Sequence, residues 1–134
     1  MNAKLPWAIA GAALLALALF LTLGRQQGHA AVHPDPRPGV TADRVLPPGL
    51  LPDTRGVLEA YMAARNAPQI LDGVFCYCQC ARNFGHRSLL TCFESDHGAS
   101  CDICMGEAVL AAQLAERGST LRDIRRAIDE RFGS

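Results

Sequence analysis

From Leu5 to Leu23 the chain reads LPWAIAGAALLALALFLTL, nineteen residues without a charge. A bilayer-spanning helix needs about 20 apolar residues, whereas a secretory signal core usually has about 7 to 15. The length favours a membrane anchor. Gly28-His29-Ala30 offers a small-x-small cleavage site, so a cleaved signal is the alternative. A buried core helix is a poor account, because so small a chain cannot cover a helix that is apolar all round. Residues 1–30 are therefore expected to be a transmembrane or signal helix. The rest of the chain is expected on the extracytoplasmic side of the cell membrane, or secreted if the signal is cleaved.

After residue 52 the pattern changes to helical periodicity. Asp53 or Thr54 is expected to cap a helix running to about Arg65, with Val57, Leu58, Tyr61 and Ala64 on its apolar side. Asn66 and Pro68 end it, and a short turn from Gln69 to Asp72 stops at Gly73. Ser100 is the expected cap of a helix from Cys101 to Arg117, with Ile103, Val109, Leu110 and Leu114 as its apolar side and Gly118 as its stop. Thr120, with Asp123 three residues on, opens a last helix in which Leu121, Ile124, Ile128 and Phe132 form one stripe. Its charges, Arg122, Arg125, Arg126, Asp129 and Glu130, are expected on a solvated face. No strand pattern of useful length and no internal repeat is present. The expected fold is mostly α: a small helical Cys/His-rich domain over residues 53–134, behind the N-terminal helix.

Between these regions, residues 31–52 hold Pro34, Pro36, Pro38, Pro47, Pro48 and Pro52. That density favours extended polyproline II and predicts a linker holding the domain off a membrane. His29 and His33 are expected to be solvated there.

Charge narrows the partners. The chain has 13 basic and 13 acidic residues, so no basic stripe for nucleic acid is predicted. Residues 1–30 carry Lys4 and Arg25 and no acid. The predicted partners are the membrane, through residues 5–23, and a metal-handling protein.

Candidate chemistry is concentrated in one stretch. All six cysteines fall between Cys76 and Cys104, together with His86 and His97. A domain of this size is marginal on burial alone, so a metal or disulfides have a structural role available. If Cys76-Tyr77-Cys78-Gln79-Cys80 is extended, the three thiols share one face, with Tyr77 and Gln79 opposite. Cys101 and Cys104, in the first turn of a helix, would be favoured as thiolates by its N-terminal N–H groups.

Three readings follow. Soft thiolates select Cu(I) and Zn(II), with His as a supplementary ligand. The candidate metal ligands are Cys76, Cys78, Cys80, His86, Cys92, His97, Cys101 and Cys104. They exceed what one mononuclear site requires, and a polynuclear thiolate-bridged Cu(I) site would use them more fully. The second reading is three disulfides stapling an interaction module, in keeping with an oxidising compartment. The third is thiol–disulfide exchange through Cys101-x-x-Cys104, for which no βαβ pattern is present. Met105 reads as core. Nothing resembles a Ser/His/Asp arrangement, a phosphate loop or a close carboxylate pair, so no catalytic residue is predicted.

The run Tyr61…Pro68…Leu71-Asp72-Gly73-Val74-Phe75-Cys76-Tyr77-Cys78-Gln79-Cys80…Gly85-His86-Arg87-Ser88…Cys92-Phe93…His97-Gly98…Cys101-Asp102-Ile103-Cys104 resembles the PCYCGC-motif family of bacterial extracytoplasmic proteins. Ile128-Asp129-Glu130 and Phe132-Gly133 resemble it as well. Phe75 stands where that motif has Pro and Gln79 where it has Gly, both at non-ligand positions. The resemblance implies an extracytoplasmic location and an intact thiol set. Many such proteins are lipoproteins, and here the apolar helix would replace the lipid-bearing Cys.

Overall fold

In the computed structural model, which describes residues 32–52, 54 and 56–133, the helical pattern resolves into α1 (Val57–Asn66), α2 (Pro68–Asp72), α3 (Cys80–Phe84), α4 (Asp102–Glu116) and α5 (Leu121–Phe132). Single 3₁₀ turns cover Ala42–Arg44, Pro48–Leu50, Leu89–Phe93 and Asp96–Ser100. No strand is present among the described residues. None of their helices is long and apolar enough to cross a membrane. The Leu5–Leu23 stretch, with its expected role as anchor or signal, lies outside the described residues.

α1 starts later than expected. Gly56, at φ 78°, is the cap residue and takes the left-handed turn before it in place of Thr54; Asp53, the other expected cap, lies outside the described residues. Val57, Ala60, Tyr61 and Ala64 are buried at i, i+3, i+4 and i+7. Leu58, expected inside, is 47% exposed. It sits about 100° round the helix from Val57, on the flank of that stripe.

α4 carries the main corrections. Ser100 closes the preceding 3₁₀ turn, and Cys101 is the cap residue, with extended dihedrals. Cys101 therefore lies just outside the first turn that was expected to hold it. The buried face of α4 is Cys104, Met105, Glu107, Ala108, Ala111 and Ala112, while Ile103 is exposed. α1 packs along α4, and Ala60, Ala63 and Ala64 are buried on α1 as Ala108, Ala111 and Ala112 are on α4. Side chains that short let two helix backbones approach closely.

α5 follows its pattern. Thr120 Oγ1 accepts from the Asp123 N–H and donates to Asp123 Oδ2 at 2.6 Å, a reciprocal cap. Ile124 and Ile128 are fully buried, with Leu121 and Phe132 packed beside them.

Residues 32–52 are not a free linker. They form one compact unit with the helices, and Val40 and Val45 are buried in the core. Proline keeps this segment extended, but its side chains and carbonyls find specific partners. The Arg37 guanidinium and backbone N–H both bond the buried Asp72 carboxylate, each at 2.7 Å at closest. Arg125 donates to the Pro34 and Gly73 carbonyls at 2.8 Å each, and Arg87 to the Asp35 carbonyl. His33, expected solvated, accepts the Phe75 N–H at Nδ1 (3.0 Å), and its Nε2 meets Asp129 Oδ1 at 2.8 Å. The Tyr77 hydroxyl donates to the same Asp129 oxygen. Arg125 and Asp129 are thus tethers for a strap rather than members of a solvated face. The strap ends against Phe75, one residue before the cysteine run.

Candidate metal centre

The Cys/His side chains arrive from four short pieces of chain, each fixed by backbone bonds. Leu89 N–H donates to the Val74 carbonyl at 2.8 Å, which sets the entry to the cysteine run. The run itself is not extended. Gln79 adopts φ 62°, the left-handed region, and its carbonyl accepts from Arg82 and Asn83 N–H as α3 begins at Cys80. Gly85, at φ 69°, ends α3, and His86 N–H returns to the Cys80 carbonyl at 3.2 Å. The two reversals bring Cys80 and His86 together. The Leu89–Phe93 turn delivers Cys92, and the Asp96–Ser100 turn, capped by Ser95, delivers His97. Gly98 packs on Cys92: a Cβ there would lie 3.0 Å from the Cys92 carbonyl oxygen. Cys104 points inward from the first turn of α4.

The sulfurs converge. Cys78 Sγ lies 2.6 Å from Cys80 Sγ, 3.2 Å from Cys76 Sγ and 3.3 Å from Cys104 Sγ. The thiols of Cys76, Cys78, Cys80, Cys92 and Cys104 all lie within 4.8 Å of one another. Metal–thiolate bonds near about 2.3 Å span a comparable distance across one ion. A second group, Cys80, His86, Cys92 and His97, meets the same limit. His97 Nε2 is 3.0 Å from Cys80 Sγ, and His86 Nδ1 is 3.3 Å from Cys92 Sγ. The imidazoles pack edge to face with centroids 4.7 Å apart, and Phe84 stands against both. Four of the five converging thiols are buried, with Cys78 half-buried, as are both imidazoles, and Phe84 is 64% exposed. The site therefore has a sulfur-rich interior and a histidine-lined outer side.

Of the eight predicted ligands, seven fall in these groups and Cys101 in neither. Its place at the cap, where the backbone is extended rather than helical, keeps it apart. All six cysteines are free thiols.

Glu107 was not among the predicted residues. It is fully buried one turn along α4 from Cys104, on the same face. Its Oε2 accepts from the Cys76 thiol at 3.0 Å and its Oε1 from the Tyr77 N–H at 2.8 Å. The spacing Cys104-x-x-Glu107, inside an otherwise apolar helix face, was the available signal.

Burial raises the Glu107 carboxyl to about 7, against the lowering effect of its two donors. Burial alone would raise Cys78, but bonds from Cys80, Cys76 and Cys104 outweigh it and hold that thiol below its ordinary value. Burial, then the Cys78 bond, pushes Cys80 up to about 11. The bond to Cys104, reinforced by burial, drives Cys76 well above the ordinary thiol range. Burial and the neighbouring His97 lower His86, favouring the neutral, ligating imidazole. One thiol held below its ordinary value beside neighbours pushed above theirs is what sulfurs crowded round a common point present. A metal ion bound there would displace thiol protons.

A family described as "Protein of unknown function with PCYCGC motif" matches residues 24–134. The chain belongs to that family. The match takes in the strap as well as the helices. No curated protein and no solved structure matches the chain. The PCYCGC letters fall on Phe75–Cys80, with Phe75 for Pro and Gln79 for Gly. Gln79 holds the positive φ that glycine adopts freely, so the turn is made here at some cost in strain. In this PCYCGC protein all three motif cysteines join the Cys/His cluster, which can hold a metal ion.

Proposed function

We propose that this protein binds a soft metal ion, Cu(I) in preference to Zn(II), and sequesters it, delivers it or senses it at the outer face of the cell membrane. The observation that carries this reading is the convergence of five thiols within 4.8 Å, with two imidazoles at their edge. Thiolate donors favour Cu(I), and the donor number exceeds the four that tetrahedral Zn(II) requires. Three disulfides would place sulfurs in pairs and would enlist Cys101. A common meeting point that omits Cys101 supports a cage over crosslinks.

The chain's own residues divide the work. Cys78, the thiol held lowest, is the first nucleophile for an arriving ion. Glu107 holds the Cys76 thiol and Tyr77 N–H in place and is the nearest acceptor for the proton Cys76 loses. His86 and His97 supply neutral nitrogen donors on the outer side. The Leu5–Leu23 stretch would hold the domain at the membrane, where a metal-handling protein would exchange the ion with it.

Native mass spectrometry tests the reading on the full chain, released from detergent micelles and purified without chelator. The expected spectrum shows copper adducts. A mass equal to apoprotein less six hydrogens, one for each cysteine, with no uptake of Cu(I) or Zn(II) after mild reduction, would overturn it.

A further inference from the structure

The two ligand groups overlap, and the overlap is specific. Cys80 and Cys92 belong to both, Cys76, Cys78 and Cys104 only to the sulfur group, and His86 and His97 only to the other. From this geometry we infer that the site holds two ions, bridged by the Cys80 and Cys92 thiolates: an inner ion completed by sulfur and an outer ion completed by His86 and His97. The inference rests on the soft-metal reading and adds nuclearity and the order of filling.

Three observations carry it. A thiolate sulfur keeps lone pairs after binding one ion, so it can bridge, whereas an imidazole nitrogen cannot. The imidazoles each approach a shared sulfur, His97 to Cys80 at 3.0 Å and His86 to Cys92 at 3.3 Å, and no bond to the unshared thiols is formed by either. They also lie beside each other, their centroids 4.7 Å apart, as two terminal donors to one ion would. Donor counting agrees. Two four-coordinate ions sharing two ligands need six distinct donors, and the seven that converge supply these with one thiol of the sulfur group to spare. One ion would leave the histidines or several thiols without a role.

The two positions differ in surroundings. The inner one is enclosed by buried Cys76, Cys80, Cys92 and Cys104 and is all-sulfur, which suits a soft ion best. The outer one lies behind half-buried imidazoles and the exposed Phe84 ring. The inner position fills first and holds its ion longest. The outer position fills second, exchanges faster and faces the solution from which an acceptor approaches.

The test is an anaerobic titration of the full chain, in detergent micelles, with Cu(I) against a chromogenic Cu(I) chelator. X-ray absorption at the copper edge is recorded at each equivalent. The wild type is expected to take up two ions. The first equivalent shows sulfur scattering alone; the second adds imidazole scattering and a short copper–copper vector. The double variant His86→Ala/His97→Ala is expected to keep the first ion. Its second is weakened beyond the roughly 10- to 100-fold typical of losing an outer-shell partner. No copper uptake by the wild type would defeat the soft-metal reading itself. Uptake of one ion, or of three or more, would leave that reading standing and overturn the two-ion inference. So would a second ion without imidazole scattering, or a double variant that still binds two. If the variant does not fold, the wild-type count and spectrum decide.

Discussion

At the scale of single residues, the site depends on groups that do not themselves have to be ligands. Glu107 is the clearest: its buried carboxylate accepts a backbone N–H from Tyr77 and the thiol of Cys76. Glu107→Ala is expected to lower unfolding free energy by about 1–3 kcal/mol, the usual range for removing one partner from buried hydrogen bonds, and to weaken metal binding. Denaturant unfolding of the metal-free chain and a chelator competition check the two effects separately. Gln79 offers the opposite case. Its left-handed backbone costs a non-glycine residue about 1–2 kcal/mol, partly offset by glycine's larger unfolded-state entropy. Gln79→Gly should raise the denaturation midpoint by an amount worth about 1 kcal/mol or less, and Gln79→Val should lower it. The Cys/His cluster was largely legible because its residues are so tightly spaced in the chain. Cys101 falls outside the cluster because the helix starts one residue later than expected, which leaves Cys101 on extended backbone at the cap. Glu107 escaped notice because a lone Glu in a helix ordinarily reads as solvated.

At the scale of elements, the site is held by turns more than by helices. Cys92 and His97 sit on successive 3₁₀ turns that press together at Gly98. A Cβ at Gly98 would meet the Cys92 carbonyl oxygen at 3.0 Å and the Phe93 ring at 3.1 Å. Gly98→Ala is therefore expected to cost about 1–3 kcal/mol by overpacking. It should also loosen the Cys92–His97 side of the site, measured as faster copper loss to a competing chelator. The helices themselves were readable from apolar spacing and caps, α5 most completely. The inner faces of α1 and α4 were less readable because alanine carries little hydrophobic signal. Large apolar residues carry that signal instead, so the pattern points to Leu58 and Ile103 while Ala60 and Ala108 fill the buried positions. The 3₁₀ turns, about one turn each, are too short to show any periodicity.

At the scale of the whole molecule, the strap is the feature composition concealed. Six prolines imply an independent spacer, and only tertiary contacts reveal that Arg37, His33, Val40 and Val45 bind residues 32–52 to the helices. Asp72 is the hub, receiving Arg37, Arg87 and Ser88. Burial would raise its carboxyl, but the Arg37 and Ser88 bonds win and hold it below the ordinary carboxylate value. A depressed acid stabilises the fold above its unfolded-state value and ceases to do so as pH falls through the folded one. The strap should therefore stay docked at neutral pH and be released under acid, seen as protease cleavage near residues 33–40 before the helices are lost. Asp72→Ala should produce the same release at neutral pH, because it removes the bonds from Arg37 and Ser88 and the ion pair with Arg87. The central claim, that the thiols form a metal cage rather than crosslinks, is tested most directly by thermal unfolding of the Cu(I)-loaded full chain. Helical circular dichroism is followed with and without a Cu(I) chelator or a phosphine reductant. A ligand at about 100 times its Kd stabilises by about 2.7 kcal/mol, and each kcal/mol shifts Tm by about 4–8 °C in a domain this small. The account predicts that the chelator lowers Tm by about 10–20 °C while the reductant leaves it unchanged. A Tm that falls with reductant and ignores the chelator would contradict it.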